Sequence, residues 1–140
     1  MPARDRYHNE VRSALVKDGW TITHDPLRLR WGAKDMYVDL GAEQLLAAEK
    51  GARRIAVEVK TFGGASEMDD LEKAVGQYVL YHDVLGRVEP DRDLYLAVSE
   101  ATYLDLFEEP VGRLLIENGR VRLLVFDPQA EVIRRWTPQP

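Results

Sequence analysis

Residues 55–62 read Ile-Ala-Val-Glu-Val-Lys-Thr-Phe, IAVEVKTF. Ile55, Val57, Val59 and Phe62 suit a pleated, buried strand. Glu58 and Lys60 are two apart, so strand alternation sets both on one face. Gly63-Gly64-Ala65 breaks the strand, and Ser66 follows as a helix N-cap with Asp69 as a capping-box-like acid. Glu67, Asp69 and Asp70 suit the positive end of the helix dipole. That helix is expected to run to about Leu85 and stop at Gly86. Its buried stripe is read as Met68, Leu71, Val75, Tyr78, Val79, His82 and Leu85. A further strand, 93–99, then lies parallel to its neighbour, which puts 55–62 in the interior of a sheet.

Working outward, residues 4–18 read as a helix and 20–26 as a short strand ended by Asp25-Pro26. Residues 27–36 form a connection of undetermined shape. A second strand is expected over 37–49, followed by a turn at Lys50-Gly51-Ala52-Arg53, making it an antiparallel hairpin partner of 54–62. Downstream, 101–108 reads as a short helix. A second helix, 110–117, has Pro110 in its first turn and Gly119 at its end. Residues 121–127 and 131–136 form a last strand pair. The order αβββαβ, plus a C-terminal helix and β extension, describes an α/β (α+β) fold: one mixed sheet flanked by helices in a single domain, 1–140.

The composition is that of a globular chain, 45% hydrophobic and 31% charged. With no cysteine there is neither a disulfide framework nor a thiolate metal site. No apolar run reaches the ~18–20 residues that span a bilayer, and the charged N-terminus lacks a signal core. These features point to a cytoplasmic protein without membrane association. The net charge is −5, unevenly spread: residues 1–60 carry +2 and residues 61–140 carry −7. That balance speaks against a general polycation, while Arg4, Arg6, Arg12, Arg28, Arg30 and Lys34 leave the first half able to meet phosphate. Their alternative reading is solvated surface charge.

Glu58 and Lys60 on an interior strand call for a partner. Asp39 lies in the preceding strand. Two carboxylates from paired strands, with a backbone carbonyl, suffice for Mg²⁺, which takes oxygen ligands and keeps several waters. A neighbouring lysine can orient water or offset charge on a phosphate. The expected turn sets residue 45 opposite Glu58, so a bulge at Gly41 or strong twist is needed to bring Asp39 back. Asp35 and Glu43 are the alternative first carboxylates. His8, two residues before Glu10, reads as surface or as a border of the site, His82 as a core histidine, and Trp31 as packing or a stacking surface beside Arg28, Arg30 and Lys34.

Asp39 with Glu58-Val59-Lys60 resembles the PD-(D/E)XK nuclease superfamily, whose restriction-endonuclease-like core shares the order αβββαβ. The resemblance implies that Asp39, Glu58 and the Val59 carbonyl hold Mg²⁺ (or Mn²⁺) and that Lys60 assists catalysis. It further assigns Glu10 on the first helix, and Gln77 with Tyr81 on the second. The whole chain is similar to the XisH family of DNA-element excision controlling factors. The stretches that carry this are DGWTITHDPL (18–27), YVDLGAE (37–43), IAVEVK (55–60), SEMDDLEKAVGQYVLYHDVL (66–85), LYLAV (94–98) and RLLVFDP (122–128). It implies DNA as a partner, with a small protein, XisI, as another. The alternative activity is a catalytically silent regulator that binds XisI or a site-specific recombinase. A homodimer suits the fold, although no residue pattern marks an interface.

Overall fold

The computed structural model describes residues 4–47 and 51–140, with side chains from 4–45 and 51–140. It begins with α1 (His8–Lys17), β1 (Thr21–His24), β2 (Leu27–Trp31), β3 (Lys34–Val38), β4 (Leu40–Ala47) and β5 (Gly51–Val59). Then come α2 (Glu67–Val88), β6 (Arg92–Ser99), α3 (Glu100–Thr102) with a π-helical turn at Tyr103–Phe107, and α4 (Pro110–Glu117). β7 (Leu123–Asp127) and β8 (Val132–Thr137) close the chain. Six strands form one mixed sheet in the order β1-β4-β5-β6-β7-β8, while β2 and β3 form a separate two-stranded ribbon. β5, β6 and β7 are mutually parallel, and the outer pairings are antiparallel. The result is a mixed α/β fold with a central sheet flanked by helices.

Alternation along the inner strands divides the apolar residues between two faces. Ala56, Leu94, Leu96, Val98, Leu123 and Val125 pack beneath α2, the π-helical turn and the ribbon. Ile55, Val57, Val59, Tyr95, Ala97, Leu124 and Phe126 pack beneath Val11 and Leu15 of α1 and Trp20. Strands covered on both faces read as nearly continuous apolar runs, which is why 55–59 and 94–98 look so hydrophobic. Each buried leucine side chain contributes roughly 1.5–3 kcal/mol. Among the described residues no helix is long and apolar enough to cross a membrane.

Three expectations need correction. The stretch 27–36 is no open connection: with Tyr37 and Val38 it makes the β2–β3 hairpin, closed by Gly32-Ala33 with Gly32 at φ +61. A positive φ at the first central residue matches the twist of the flanking strands. The strand expected over 37–49 therefore divides at Asp39. Gly51, Ala52 and Arg53 of the expected turn instead pair in β5, and Lys50 lies outside the described residues.

The third correction concerns α2. Ser66 caps it through Asp69 N–H (3.1 Å), but the helix runs past Gly86 to Val88. Its buried residues are Leu71, Ala74, Tyr78, Val84 and Leu85, while Met68, Val79 and His82 are exposed. Gly119, at φ +65, follows α4 as a helix end, as expected.

Tyr78 fastens α2 to the sheet. Its hydroxyl donates to the Leu94 carbonyl (2.8 Å) and accepts from the Arg122 N–H (3.1 Å). Tyr78→Phe keeps the ring but leaves two backbone groups unpaired. Thermal or urea unfolding should show a loss of about 1–3 kcal/mol. A change within the error of the measurement would contradict this fastening role.

Candidate metal and phosphate site

The acidic centre is built by the β4–β5 register. Leu40 pairs with Val57 and Gly41 with Ala56, with no irregularity at this end. Asp39, at the bend where the chain leaves the ribbon and enters the main sheet, therefore lies across from Glu58. No bulge at Gly41 is needed in this ladder, whose irregularity falls between Leu45 and Ala47. Leu40 and Ala42, like Val57 and Val59, face α1. Alternation along β5 turns Glu58 to the α2 face, with Asp39 just before β4 and Lys60 just after β5 at the same end of the ladder.

Two reciprocal hydrogen bonds lock the pair. The Val59 N–H donates to Asp39 Oδ2 (2.7 Å), and the Asp39 N–H donates to Glu58 Oε1 (3.2 Å). Burial raises the Glu58 pKa, and the adjacent Asp39 charge raises it further, to about 9. Burial also raises Asp39, against the lowering effect of the Val59 N–H.

Asp39 thus faces Glu58, whereas Asp35 and Glu43 are engaged elsewhere. Asp35 pairs with Arg28 (3.0 Å), and Glu43 lies 3.7 Å from Arg54. The Lys60 backbone N–H donates to the Ala97 carbonyl (3.1 Å), continuing the parallel ladder. Tyr81, half-buried against the α2-side core, comes within the field of the pair: burial raises its hydroxyl pKa, and the charges of Glu58 and Asp39 add to this. Gln77, one turn earlier, is exposed. Glu10 is half-buried in the first turn of α1.

Two residues emerge that the sequence left aside. Asp5 binds the strand end beyond Lys60, accepting from Thr61 N–H (3.0 Å) and Thr61 Oγ1–H (2.6 Å). Its charge raises both members of the pair. His8, expected at the surface, is buried; its Nε2 lies 2.7 Å from Asp25 Oδ1, and its Nδ1 has no partner among the described residues. A charged His8 would favour ionised Asp39. No local pattern could announce either residue, since both partners lie far along the chain.

A hard divalent cation fits the donor chemistry of Asp39, Glu58 and a nearby carbonyl. Asp25, Asp35, Glu43, Glu89, Asp93 and Asp127 each have an arginine within 4 Å. No such partner serves Asp39 or Glu58 among the described residues, although burial penalises their charge most. No group of three or more His, Cys, Asp or Glu side chains able to hold a metal occurs among the described residues. The protein would therefore supply few ligands, a pattern Mg²⁺ tolerates because it retains water.

An acid with a raised folded-state value holds its proton more tightly folded than unfolded. Glu58 therefore favours the native state below its ordinary 4.5, and this advantage is lost as pH rises toward about 9. Glu58→Gln, which still accepts from the Asp39 N–H, should unfold at a higher temperature than the parent at pH 8 in chelator. A gain of about 1 kcal/mol corresponds to ~3–5 °C in a chain of this size. The gap should shrink at pH 5; a gap that is absent, or that widens at pH 5, would overturn the raised value.

The family model described as XisH protein matches residues 1–134. The chain is similar to the crystal structure of an XisH family protein from Nostoc punctiforme PCC 73102, with 38% identity and a TM-score of 0.84. That match covers 94% of this chain and 98% of the other. It is similar also to a fdxN element excision controlling factor protein from Anabaena variabilis, with 40% identity and a TM-score of 0.85, over 96% and 99% of the two chains. No curated protein matches. The sheet order and the acidic crossing at residue 39 thus occur in a chain that belongs to the XisH family.

Proposed function

We propose that this chain is an excision controlling factor whose acidic centre is a Mg²⁺-dependent (or Mn²⁺-dependent) DNA endonuclease site of the restriction-endonuclease-like PD-(D/E)XK kind. The observation that carries the reading is the buried Asp39–Glu58 pair, set face to face and left without an arginine among the described residues. The αβββαβ order supports it once the β2–β3 ribbon is read as an insertion.

Asp39, Glu58 and the Val59 carbonyl are the groups that would hold the cation. When bound, it would supply Lewis acidity and offset the charge of a DNA phosphate. Lys60, directly after β5, orients the attacking water or stabilises the negative charge that builds on phosphorus. Water oxygen forms the new P–O bond, the bridging P–O bond breaks, and the departing oxygen takes a proton. Tyr81 and Gln77 contact the phosphate or buttress Lys60, and Glu10 orients a water or serves a second cation.

A second reading has its own support. Both carboxylates are already tied to backbone N–H groups, and the described residues hold no three-membered metal cluster. In that reading the centre is structural, and the protein is a silent nuclease-fold regulator that binds an XisI-type protein or a recombinase. The acidity of residues 61–140 suits a protein partner.

Supercoiled, linear and branched DNA with Mg²⁺ or Mn²⁺, with and without XisI, separate the two. The endonuclease reading expects nicking that needs the cation and falls by about 10²–10³ in Lys60→Ala, Glu58→Gln and Asp39→Asn proteins. Mg²⁺ should also raise the unfolding temperature of the parent and leave Glu58→Gln unmoved. Undiminished nicking in all three variants would sink the assignment. No nicking, no cation response and tight XisI binding would select the regulator.

A further inference from the structure

The β2–β3 ribbon is the one strand pair outside the main sheet among the described residues. An isolated two-stranded hairpin is marginal in water, so it needs an anchor. Leu27, Leu29, Val38 and the half-buried Met36 supply it by joining the core beneath α2 with Leu71, Ala74 and Tyr78. That anchoring uses the root of the ribbon. The tip carries Trp31 opposite Lys34, with Arg30 opposite Asp35. Trp31 is 52% exposed, and Arg28, Arg30 and Lys34 are exposed too. Packing explains Leu27 and Leu29; it does not explain a half-exposed tryptophan at the tip, with Lys34 paired across from it.

Charge at this corner runs against that of the whole chain. Arg28 is taken up by Asp35, while Arg30 and Lys34 have no acidic partner among the described residues. At the root, Asp25 lies two residues before the ribbon and gathers Arg4 and Arg12, whose side chains remain 61% and 44% exposed. Arg28, Arg30 and Lys34 along the ribbon, with Arg4 and Arg12 at its root, thus outnumber Asp25 and Asp35, in a protein of net charge −5. The ribbon also ends at Val38, so its root adjoins Asp39 and the acidic centre. Five residues of strand extend about 17 Å. The major groove of B-DNA is about 12 Å wide and admits a two-stranded ribbon.

We propose that the β2–β3 ribbon is a DNA-docking arm. In this assignment Arg30 and Lys34 meet backbone phosphates across a groove from the acidic centre. Trp31 packs its ring on a sugar or an unstacked base, and Arg4 and Arg12 hold the nearer phosphates. The arm deepens the endonuclease reading and rests on it for the identity of the partner as DNA. It also answers how so acidic a protein can hold a polyanion: the attraction is local, and the acidic remainder limits non-specific coating.

The test measures binding rather than cleavage, in chelator, with a fluorescein-labelled 30-base-pair duplex of arbitrary sequence and the single strand of the same length. The parent should bind the duplex at 50 mM salt, with an affinity that falls steeply as salt rises. Arg30→Ala/Lys34→Ala should weaken binding about tenfold or more and lower the slope of log affinity against log salt by about two. Trp31→Ala should weaken binding several-fold and leave the slope unchanged, because stacking releases no counterions. Arg87→Ala, at the far end of α2, is the control and should bind like the parent.

Absence of parent binding, parent-like binding by the ribbon variants, or equal loss in the Arg87 control would each overturn the arm. A preference for the single strand that vanishes in Trp31→Ala would place the ring on a base; a duplex preference would place it on the sugar. Ribbon-dependent binding by a protein that never nicks DNA would retain the arm and discard the endonuclease reading. Nicking without ribbon-dependent binding would do the reverse.

Discussion

Two hydrogen bonds at the bend of residue 39 set the terms for the rest of the molecule. Val59 N–H on the Asp39 carboxylate and Asp39 N–H on the Glu58 carboxylate join β4 to β5 where the ladder begins. Strand pairing has a side-chain period of two, so a slip by one residue would turn Leu40 and Ala42 out of the α1-side core. It would also carry Asp39 off the face of Glu58. The contacts that hold the register are therefore those that force two carboxylates together, and neither can be lost alone.

That arrangement is costly without a counter-charge. Buried acids repel, and each pushes the other toward its protonated form. Elsewhere the fold pairs carboxylates with arginine, most clearly at Asp25, whose side chain is 14% exposed. At the Asp39–Glu58 pair it does not. A shared proton or a bound cation resolves the repulsion, and the two alternatives compete for the same oxygens. Both carboxylates are bonded to backbone N–H groups where the β4–β5 ladder begins, so relief by local rearrangement would disturb that ladder.

Much of this was legible in the chain, and the failures have definite physical causes. Ile55 to Val59 announce an interior strand because both faces are covered, and Ser66 with Asp69 announces the start of α2. The hairpin register failed because Gly51-Ala52 resembles a turn but continues β5, which moved the expected partner of Glu58 from Asp39 to Leu45. Leu27, Leu29, Met36 and Val38 do keep strand alternation, but the ribbon was missed because it closes on Gly32-Ala33 rather than Asn-Gly. The α2 stripe was read too wide: Met68, Val79 and His82 keep helical spacing yet lie beyond the strip that β6 and the ribbon cover. Asp5 and His8 carry no local signal, for their partners are Thr61 and Asp25.

Those last contacts explain why the N-terminal segment bears on the site. Asp5 grips Thr61, one residue past Lys60, and His8 grips Asp25 at the root of the ribbon. α1 itself packs on the opposite face of the sheet through Val11 and Leu15. One short stretch thus ties the exit of the lysine-bearing strand, the foot of the ribbon and the far side of the core. The ribbon's tip, by contrast, is held by its own ladder, the Arg28–Asp35 ion pair and the apolar root. Restraint is thus concentrated where two carboxylates keep their distances, and the ribbon projects from that frame.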